Sequence, residues 1–299
     1  MLELLKSSVR EFMDDDCTTM AAALSYYTVF SLPPLLVLIL LLVGAVMDPQ
    51  DVQGSLEGNL QSVMGPGAGQ SIRTIIEHAQ LPGSGGLIAT VIGVAALILG
   101  AAGVFGQLQA ALNRAWGVKP DPNQGGIKNF VLKRLFTFGM ILALAFLLLV
   151  SLVLSAVLAG FGDALGRWLP AGFSSTLLQV INFAISFGVI ALLFAAMYRV
   201  LPDARIRWHD VWIGATVTAF LFVIGKTLIG VYLGHSNPGQ AFGAAGSLAL
   251  LLVWIYYSSM ILLFGAEFTQ VWAEQRGAGV TPEPGAVRAS EGPHPAAAR

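Results

Sequence analysis

The sequence predicts an all-α membrane protein with six transmembrane helices and a short amphipathic helix at the N-terminus. Two observations carry this prediction. Hydrophobic residues make up 56% of the 299 residues and charged residues only 11%, whereas soluble domains carry about 25% charged residues. In addition, long stretches without Asp, Glu, Lys or Arg recur along the chain, and about 20 apolar residues suffice for a helix to cross a bilayer.

The N-terminal segment 1–16 is predicted to be an amphipathic helix on the cytoplasmic surface of the membrane. Leu2, Leu5, Val9 and Phe12 recur at helical spacing, which places their side chains along one side of a helix. Charged residues fall between them. A helix with one apolar and one charged side is typical of segments that bind at the boundary between lipid and water.

Six apolar segments within residues 17–272 are predicted to span the membrane. They are 20–47, 87–112, 136–160, 177–198, 211–233 and 244–270. The last two are separated by residues 234–239, a polar stretch with two glycines and a proline that favours a turn. Residues 48–86 form the largest predicted loop, on the outside. Residues 277–299 are rich in Gly, Pro and Ala and are predicted to be a disordered cytoplasmic tail.

The distribution of basic residues predicts that both termini face the cytoplasm. Of the sixteen Lys and Arg residues, thirteen lie in the N-terminal segment, the second and fourth loops and the tail, and two lie in the alternate loops. Loops rich in Lys and Arg stay preferentially in the cytoplasm. The sixteenth basic residue, Lys226, lies inside the fifth predicted span.

Lys226 is unusual because a lysine at the centre of a membrane helix costs about 2.5–3.5 kcal/mol. It lies roughly 10 Å inside the predicted outer boundary. One interpretation is a lysine that is paired structurally or whose aliphatic stem reaches toward the lipid headgroups. The other is a lysine in a cavity, where it binds an anionic group or a lipid headgroup. Asn182 has a similar predicted depth and is the expected neighbour of Lys226.

Glu267 lies at the predicted cytoplasmic end of the sixth span, about 20 Å from Lys226 in depth, which excludes a direct ion pair. Arg199 and Arg114 lie at the inner ends of neighbouring spans, and Asn113 precedes Arg114. We therefore predict that these residues form an inner latch with Glu267. The latch is either a structural ion pair or a functional gate.

The first span contains several hydroxyl-bearing residues, among them Tyr26, Tyr27 and Ser31, followed by the adjacent prolines Pro33 and Pro34. Two prolines remove two backbone donors and release the carbonyls one turn earlier. Because broken helices line binding sites in transporters, one interpretation is a helix break that opens a cavity, with the hydroxyls as substrate or lipid contacts. The alternative is a packing kink.

No motif in the sequence predicts an enzyme, a metal or a cofactor. The four histidines are scattered and form no pattern typical of a metal site. There is no phosphate-binding loop, no nucleophile elbow and no dinucleotide-binding fingerprint. The net charge of −1 gives no basis for nucleic-acid binding. The single cysteine, Cys17, excludes an intrachain disulfide.

Several segments in order resemble the YihY/BrkB family of bacterial inner-membrane proteins. They are AAALSYY at 21–27, FSLPP at 30–34, ALNRAW at 111–116, YRVLP at 198–202, GS at 246–247, LVWIYY at 252–257 and GAE at 265–267. The resemblance covers about residues 5–272. It implies a six-span protein of the bacterial inner membrane without an agreed molecular function. Some members carry a virulence or serum-resistance label and others a ribonuclease label.

The intramembrane lysine, the adjacent prolines and the small residues on the helices favour a transporter or lipid-handling protein, with a lipid or small anionic molecule as its substrate. The alternative is a membrane scaffold or envelope-integrity factor without transport. Cleavage of RNA needs metal ligands or a positioned acid and base. The sequence offers no such set, so we predict no ribonuclease activity.

Overall fold

The computed structural model describes residues 2–44, 103–121, 173–236 and 246–289. In chain order the elements are α1 (Leu2–Asp14), α2 (Cys17–Gly44), α3 (103–115), β1 (Val118–Pro120), α4 (Phe173–Val200), β2 (Ala204–Arg205), α5 (Trp208–Ser236), α6 (Gly246–Arg276), β3 (Thr281–Pro282) and β4 (Ala286–Arg288). The described part of the chain is therefore mostly helical, as the sequence predicts. Helix α6 contacts α1, α2 and α5, and α5 contacts α4.

Three of the described helices contain segments long and apolar enough to cross a membrane. They are Phe183–Val200 in α4, Trp208–Ile229 in α5 and Leu248–Arg276 in α6. Helix α2 covers most of the predicted span 20–47, and α3 covers the end of the predicted span 87–112. The predicted span 136–160 and loop 48–86 lie outside the described residues. The number of spans and the cytoplasmic position of both termini remain predictions.

Helix α1 packs against α6 and leaves an apolar stripe exposed. Leu4 and Ser8 are buried, and the ring of Phe12 meets that of Phe264 at a centroid distance of 6.0 Å. The exposed stripe consists of Leu2, Leu5, Val9 and Met13. An apolar stripe that the protein leaves uncovered fits the predicted position on a membrane surface.

Helices α5 and α6 approach each other closely through two glycine–threonine contacts. A Cβ atom added to Gly214 of α5 would overlap the side chain of Thr269 on α6. In the same way, a Cβ atom added to Gly265 of α6 would overlap the hydroxyl of Thr218 on α5. Glycines permit this approach because they leave the backbone surface free for the partner side chain.

Tyr198 joins helix α4 to this contact. Its side chain is fully buried, and its hydroxyl lies 3.0 Å from the Thr218 hydroxyl and donates to the Leu262 carbonyl at 2.7 Å. A buried phenol needs such partners, because an unpaired hydroxyl away from water costs about 1–3 kcal/mol. The three helices are therefore fixed at one point by apolar packing and by hydrogen bonds.

The helix break predicted at Pro33 and Pro34 is wrong, because α2 is continuous from Cys17 to Gly44. Ser31, two residues before Pro33, donates its hydroxyl hydrogen to the Tyr27 carbonyl of its own helix. The prolines therefore do not interrupt the helix.

The disorder predicted from residue 277 onward is wrong for residues 277–289, which carry two strands. β3 pairs antiparallel with β2, where Ala204 lies opposite Pro282, and β4 pairs antiparallel with β1, where Val118 lies opposite Arg288. Composition alone indicated disorder, whereas here the backbone donors and acceptors of the tail are paired with loops that follow α3 and α4. These two short sheets are also a small departure from the all-α prediction. Residues 290–299 lie outside the described residues.

Replacing Gly265 with alanine tests the close contact between α5 and α6. The added methyl group would overlap Thr218 and Tyr198, so we expect the variant to be less stable by about 1–3 kcal/mol. Gly188→Ala is the matched control, because a Cβ atom added at Gly188 meets nothing within 4 Å. The free energy of unfolding of both variants in detergent checks this. Equal stability of the two variants would contradict the proposed contact.

Candidate functional site

A cavity of about 770 Å³ that contains several charged side chains lies between α1, α3, α6 and the strands β1 and β4. Its ionisable lining residues are Glu11, Asp15, Arg114, Lys119, Asp203, Glu267, Glu274 and Arg288. The cavity lies at the helix ends that the sequence predicts to face the cytoplasm. Charged groups are costly near a membrane interior and mark functional sites there, so this cavity is the candidate site.

Glu267 is the most deeply buried acidic group of the cavity, with 1% of its surface exposed. The thiol of Cys17 donates to its Oε1 atom at 3.4 Å. The carboxyl group of Asp15 lies close enough for its negative charge to act on Glu267. Two carboxylates so close to each other repel, which favours a proton on one of them.

Asp15 connects the buried glutamate to a cation. Its Oδ1 atom lies 3.7 Å from Nε of Arg114, and both side chains are partly exposed. Burial raises the pKa of Asp15 above its ordinary value of 3.8, and the Arg114 guanidinium offsets part of that rise. The negative charge of Glu11 raises the pKa of Asp15 further. One guanidinium therefore faces three carboxyl groups, which favours retention of a proton.

Two further polar atoms of the cavity lack a partner among the described residues. They are Nε1 of Trp116, whose side chain is 2% exposed, and Oε1 of Gln270. One is a donor and the other an acceptor. Since buried polar groups are nearly always hydrogen-bonded, these two atoms are suited to bind water or a polar solute in the cavity.

Asn113 holds the rim of the cavity instead of acting as a latch for Glu267. Its side chain donates to Asp203 Oδ2 at 2.9 Å and accepts from the Asp203 backbone N–H at 2.7 Å. Gln109 donates to the other carboxylate oxygen at 3.3 Å. These bonds fix the loop after α4 against α3, so the predicted latch role of Asn113 is replaced by a structural one.

Comparison with known proteins decides the family. The family described as "Virulence factor BrkB" matches residues 8–290 of the chain. The chain belongs to the BrkB family. The resemblance seen in the sequence segments is therefore confirmed.

Relatives with this BrkB-type sequence include proteins named only as membrane proteins. "UPF0761 membrane protein" of Pseudoalteromonas atlantica is 27% identical over 262 residues, which cover 86% of this chain and 81% of the relative. "Putative ribonuclease-like protein YfkH" of Bacillus subtilis is 26% identical over 274 residues, which cover 89% and 94%. No solved structure matches the chain.

The pairing predicted between Arg199 and Glu267 is wrong. The Arg199 guanidinium donates to the Ile206 carbonyl and lies over the Trp208 ring, 5.8 Å from its centroid. Successive helix residues point about 100° apart. Because Tyr198 points at α6, its neighbour Arg199 points away from it, toward the loop before α5. Similar depth in the membrane therefore did not bring the two charges together. Of the predicted latch, Arg114 alone lies beside the buried glutamate's partner Asp15.

Lys226 lies far from the cavity, as depth counting in the sequence predicts. A Cβ atom added at the preceding Gly225 would overlap the ring of Tyr257, so Lys226 is level with Tyr257. Glu267 follows ten residues later on α6, which is about 15 Å along the helix. The Lys226 side chain is partly buried, and no hydrogen bond or ion pair joins it to another described residue. The side chain of Asn182 lies outside the described residues.

The predicted contact residues of α2, Tyr26, Tyr27 and Ser31, do not line the cavity. Tyr26 and Tyr27 are 58% and 45% exposed, and Tyr26 packs on Phe30 with ring centroids 4.7 Å apart. Ser31 is buried, and its hydroxyl is occupied by carbonyls of its own helix. Their predicted role in binding a substrate or lipid remains a prediction.

Sequence reasoning missed Asp15, Cys17, Trp116 and Asp203 as parts of the site. The run Asp14-Asp15-Asp16 directly before an apolar span was a visible signal, because acidic residues are costly at a membrane boundary unless they have partners. The turn that places Asp15 over α6 depends on a left-handed backbone at Asp16, with φ of 56°. Asp tolerates that conformation better than most residues, but the sequence alone does not predict it.

Replacing Asp15 with asparagine tests the carboxyl pair through the pH dependence of stability. A raised pKa of Asp15 in the folded state means that the folded protein holds this proton more tightly than the unfolded chain. That stabilisation is complete below pH 3.8 and is lost as pH rises through the raised value. We expect wild-type melting temperatures to fall across this window and the Asp15→Asn curve to be flatter.

The matched control is Asp14→Asn, because the Asp14 side chain is 62% exposed and pairs only with Arg10 of its own helix among the described residues. Its melting temperature should follow the wild-type dependence on pH. Parallel curves for all three proteins would contradict the proton-holding role of Asp15.

Proposed function

We propose that this BrkB-family protein is a transporter or lipid-handling protein of the bacterial inner membrane, with both termini in the cytoplasm. The observation that carries the proposal is the cavity with several charged side chains and the buried Glu267 at one end of long apolar helices. A scaffold has no need for a carboxylate there, because an acidic group is costly near the membrane interior. A transporter needs polar groups that a solute reaches from the cytoplasm.

Lys226 supports the same proposal from the other half of the helices. It lies about 15 Å from Glu267 along α5 and α6 and has no ion-pair partner among the described residues. A partly buried cation attracts an anionic solute or a lipid headgroup. We therefore propose that the substrate is a small anion or a lipid that contacts Lys226, and that the acidic cavity controls its passage at the cytoplasmic end.

The alternative is a membrane scaffold or envelope-integrity factor. The close glycine–threonine packing of α5 and α6 favours it, because rigid packing serves a structural role well. The family description as a virulence factor is compatible with either activity. We propose no enzymatic role, although one relative is named a putative ribonuclease-like protein. RNA cleavage by purified protein that is free of other nucleases would contradict this part of the proposal.

Replacing Lys226 with methionine tests the proposal in liposomes. Met is apolar and of similar length, so the fold is preserved while the positive charge is lost. We measure the efflux of trapped inorganic phosphate and the scrambling of a fluorescently labelled phospholipid. If Lys226 contacts the substrate, one of the two rates should fall about tenfold, the factor that corresponds to a loss of 1.4 kcal/mol.

Lys6→Met is the matched control, because the Lys6 side chain is 65% exposed and pairs only within α1. Its rates should equal those of the wild type. Wild-type liposomes that show neither phosphate efflux nor scrambling would favour the scaffold. Equal rates for wild type and Lys226→Met would remove Lys226 from the mechanism.

A further inference from the structure

A second cavity, of about 440 Å³, lies at the base of helix α5 and is separate from the acidic cavity. Three arginines line it: Arg199, Arg205 and Arg207. They come from the end of α4 and from the loop before α5. The opposite wall is the backbone of Ala278 and Gly279, which follows the end of α6. Two of the arginines thus sit within a short loop, and the returning tail closes the space around them.

The charges around this cavity are mostly positive. The Arg205 guanidinium lies 3.8 Å from the Glu283 carboxylate in an exposed pair. The Arg199 guanidinium donates to the Ile206 carbonyl and lies over the Trp208 ring. Arg207 is exposed and forms no ion pair or hydrogen bond through its side chain with the described residues. The carboxylates near the cavity are Glu283 and the buried Asp210, which lies beside Gly277. Three guanidinium groups against these two carboxylates leave an excess of positive charge.

The first turn of α5 carries a carboxylate of its own, the buried Asp210, and the backbone N–H groups of Asp210 and Val211 donate to the Arg207 carbonyl. The donors that this cavity offers to a ligand are therefore the arginine side chains. Arginine presents several N–H donors in a planar fork that fits phosphate oxygens. The donors and the charge of this cavity are suited to one chemical group, a phosphate.

Two exposed tryptophans place the cavity at the membrane boundary. Trp208 is 52% exposed and Trp212 is 42% exposed, one turn apart on α5. Tryptophans concentrate at the level of the lipid headgroups. Basic cavities at the cytoplasmic ends of membrane helices bind anionic headgroups. The lipid phosphate is therefore the nearest source of the group that the arginines fit.

We propose that the cavity formed by Arg199, Arg205 and Arg207 binds a phosphate group, supplied by an anionic phospholipid of the cytoplasmic leaflet. The lipid phosphate contacts the free donors of Arg207 and Arg199, and its acyl chains lie along Trp208 and Trp212. This site lies outside the transport path proposed above and holds whether or not the protein moves a solute.

Retention of lipids by the purified full-length protein tests this site. The protein is incubated with equal amounts of phosphatidylglycerol and phosphatidylcholine and examined by native mass spectrometry. We expect selective retention of phosphatidylglycerol by the wild type. The double variant Arg199→Gln with Arg207→Gln should bind it at least about tenfold more weakly, since a charge-assisted hydrogen bond is worth more than the amount that makes a tenfold difference.

Arg276→Gln is the matched control. Arg276 also lies over a tryptophan, 5.1 Å from the Trp272 ring centroid, and loses the same charge, but it does not line the cavity. It should retain phosphatidylglycerol like the wild type. Should the double variant fail to fold, Arg207→Gln alone serves, because no described contact depends on the Arg207 guanidinium.

A titration with inorganic phosphate, followed by tryptophan fluorescence, separates the two sources of a phosphate group. Binding of inorganic phosphate that Arg207→Gln abolishes, without preference for phosphatidylglycerol, would retain the phosphate site and replace the lipid with a soluble ligand. Equal retention of the two lipids together with no phosphate binding would overturn the proposal. Equal losses of phosphatidylglycerol binding in the double variant and in Arg276→Gln would also overturn the proposal.

Discussion

The close approach of α5 and α6 is the constraint on which the rest of the described structure depends. Each helix presents a glycine where the other presents a threonine, so the two backbones meet at two levels, Gly214 with Thr269 and Gly265 with Thr218. Without a hydrophobic effect between helices in lipid, such packing is a main source of association. Tyr198 of α4 adds hydrogen bonds at the same point, so that three helices hold one register.

This register decides which polar groups meet. It places Glu267 at the end of α6 that faces α1 and the turn before α2, where Asp15 and Cys17 reach it. It also keeps Lys226 about 15 Å away, level with Tyr257. The two unusual charges of the membrane helices therefore act in different places, one in an acidic cavity and one in the opposite half. The tail strands β3 and β4 then border the two cavities at the helix ends that the sequence predicts to face the cytoplasm.

Long apolar helices were predictable because their signal is additive over many residues: the predicted spans 177–198, 211–233 and 244–270 correspond to α4, α5 and α6. The strands of the tail could not be predicted, because a strand of two or three residues is too short to show a hydrophobic periodicity and its pairing partner lies in a distant loop. Depth counting separated Lys226 from Glu267 correctly. It failed for Arg199, since equal depth does not fix the direction in which a side chain points. The carboxyl pair depends on one left-handed turn at Asp16.

Disulfide cross-linking between α5 and α6 measures this register most directly. In a Cys17→Ser background, Gly214→Cys with Thr269→Cys brings the two Cβ atoms to 2.6 Å, so a shift of about 1 Å between the helices gives the spacing of a disulfide. Gly214→Cys with Gly265→Cys is displaced by one turn, about 6 Å. We expect rapid oxidation of the first pair and little of the second. Preferential linking of the second pair, or equal linking of both, would contradict the register and with it the separation of Lys226 from Glu267.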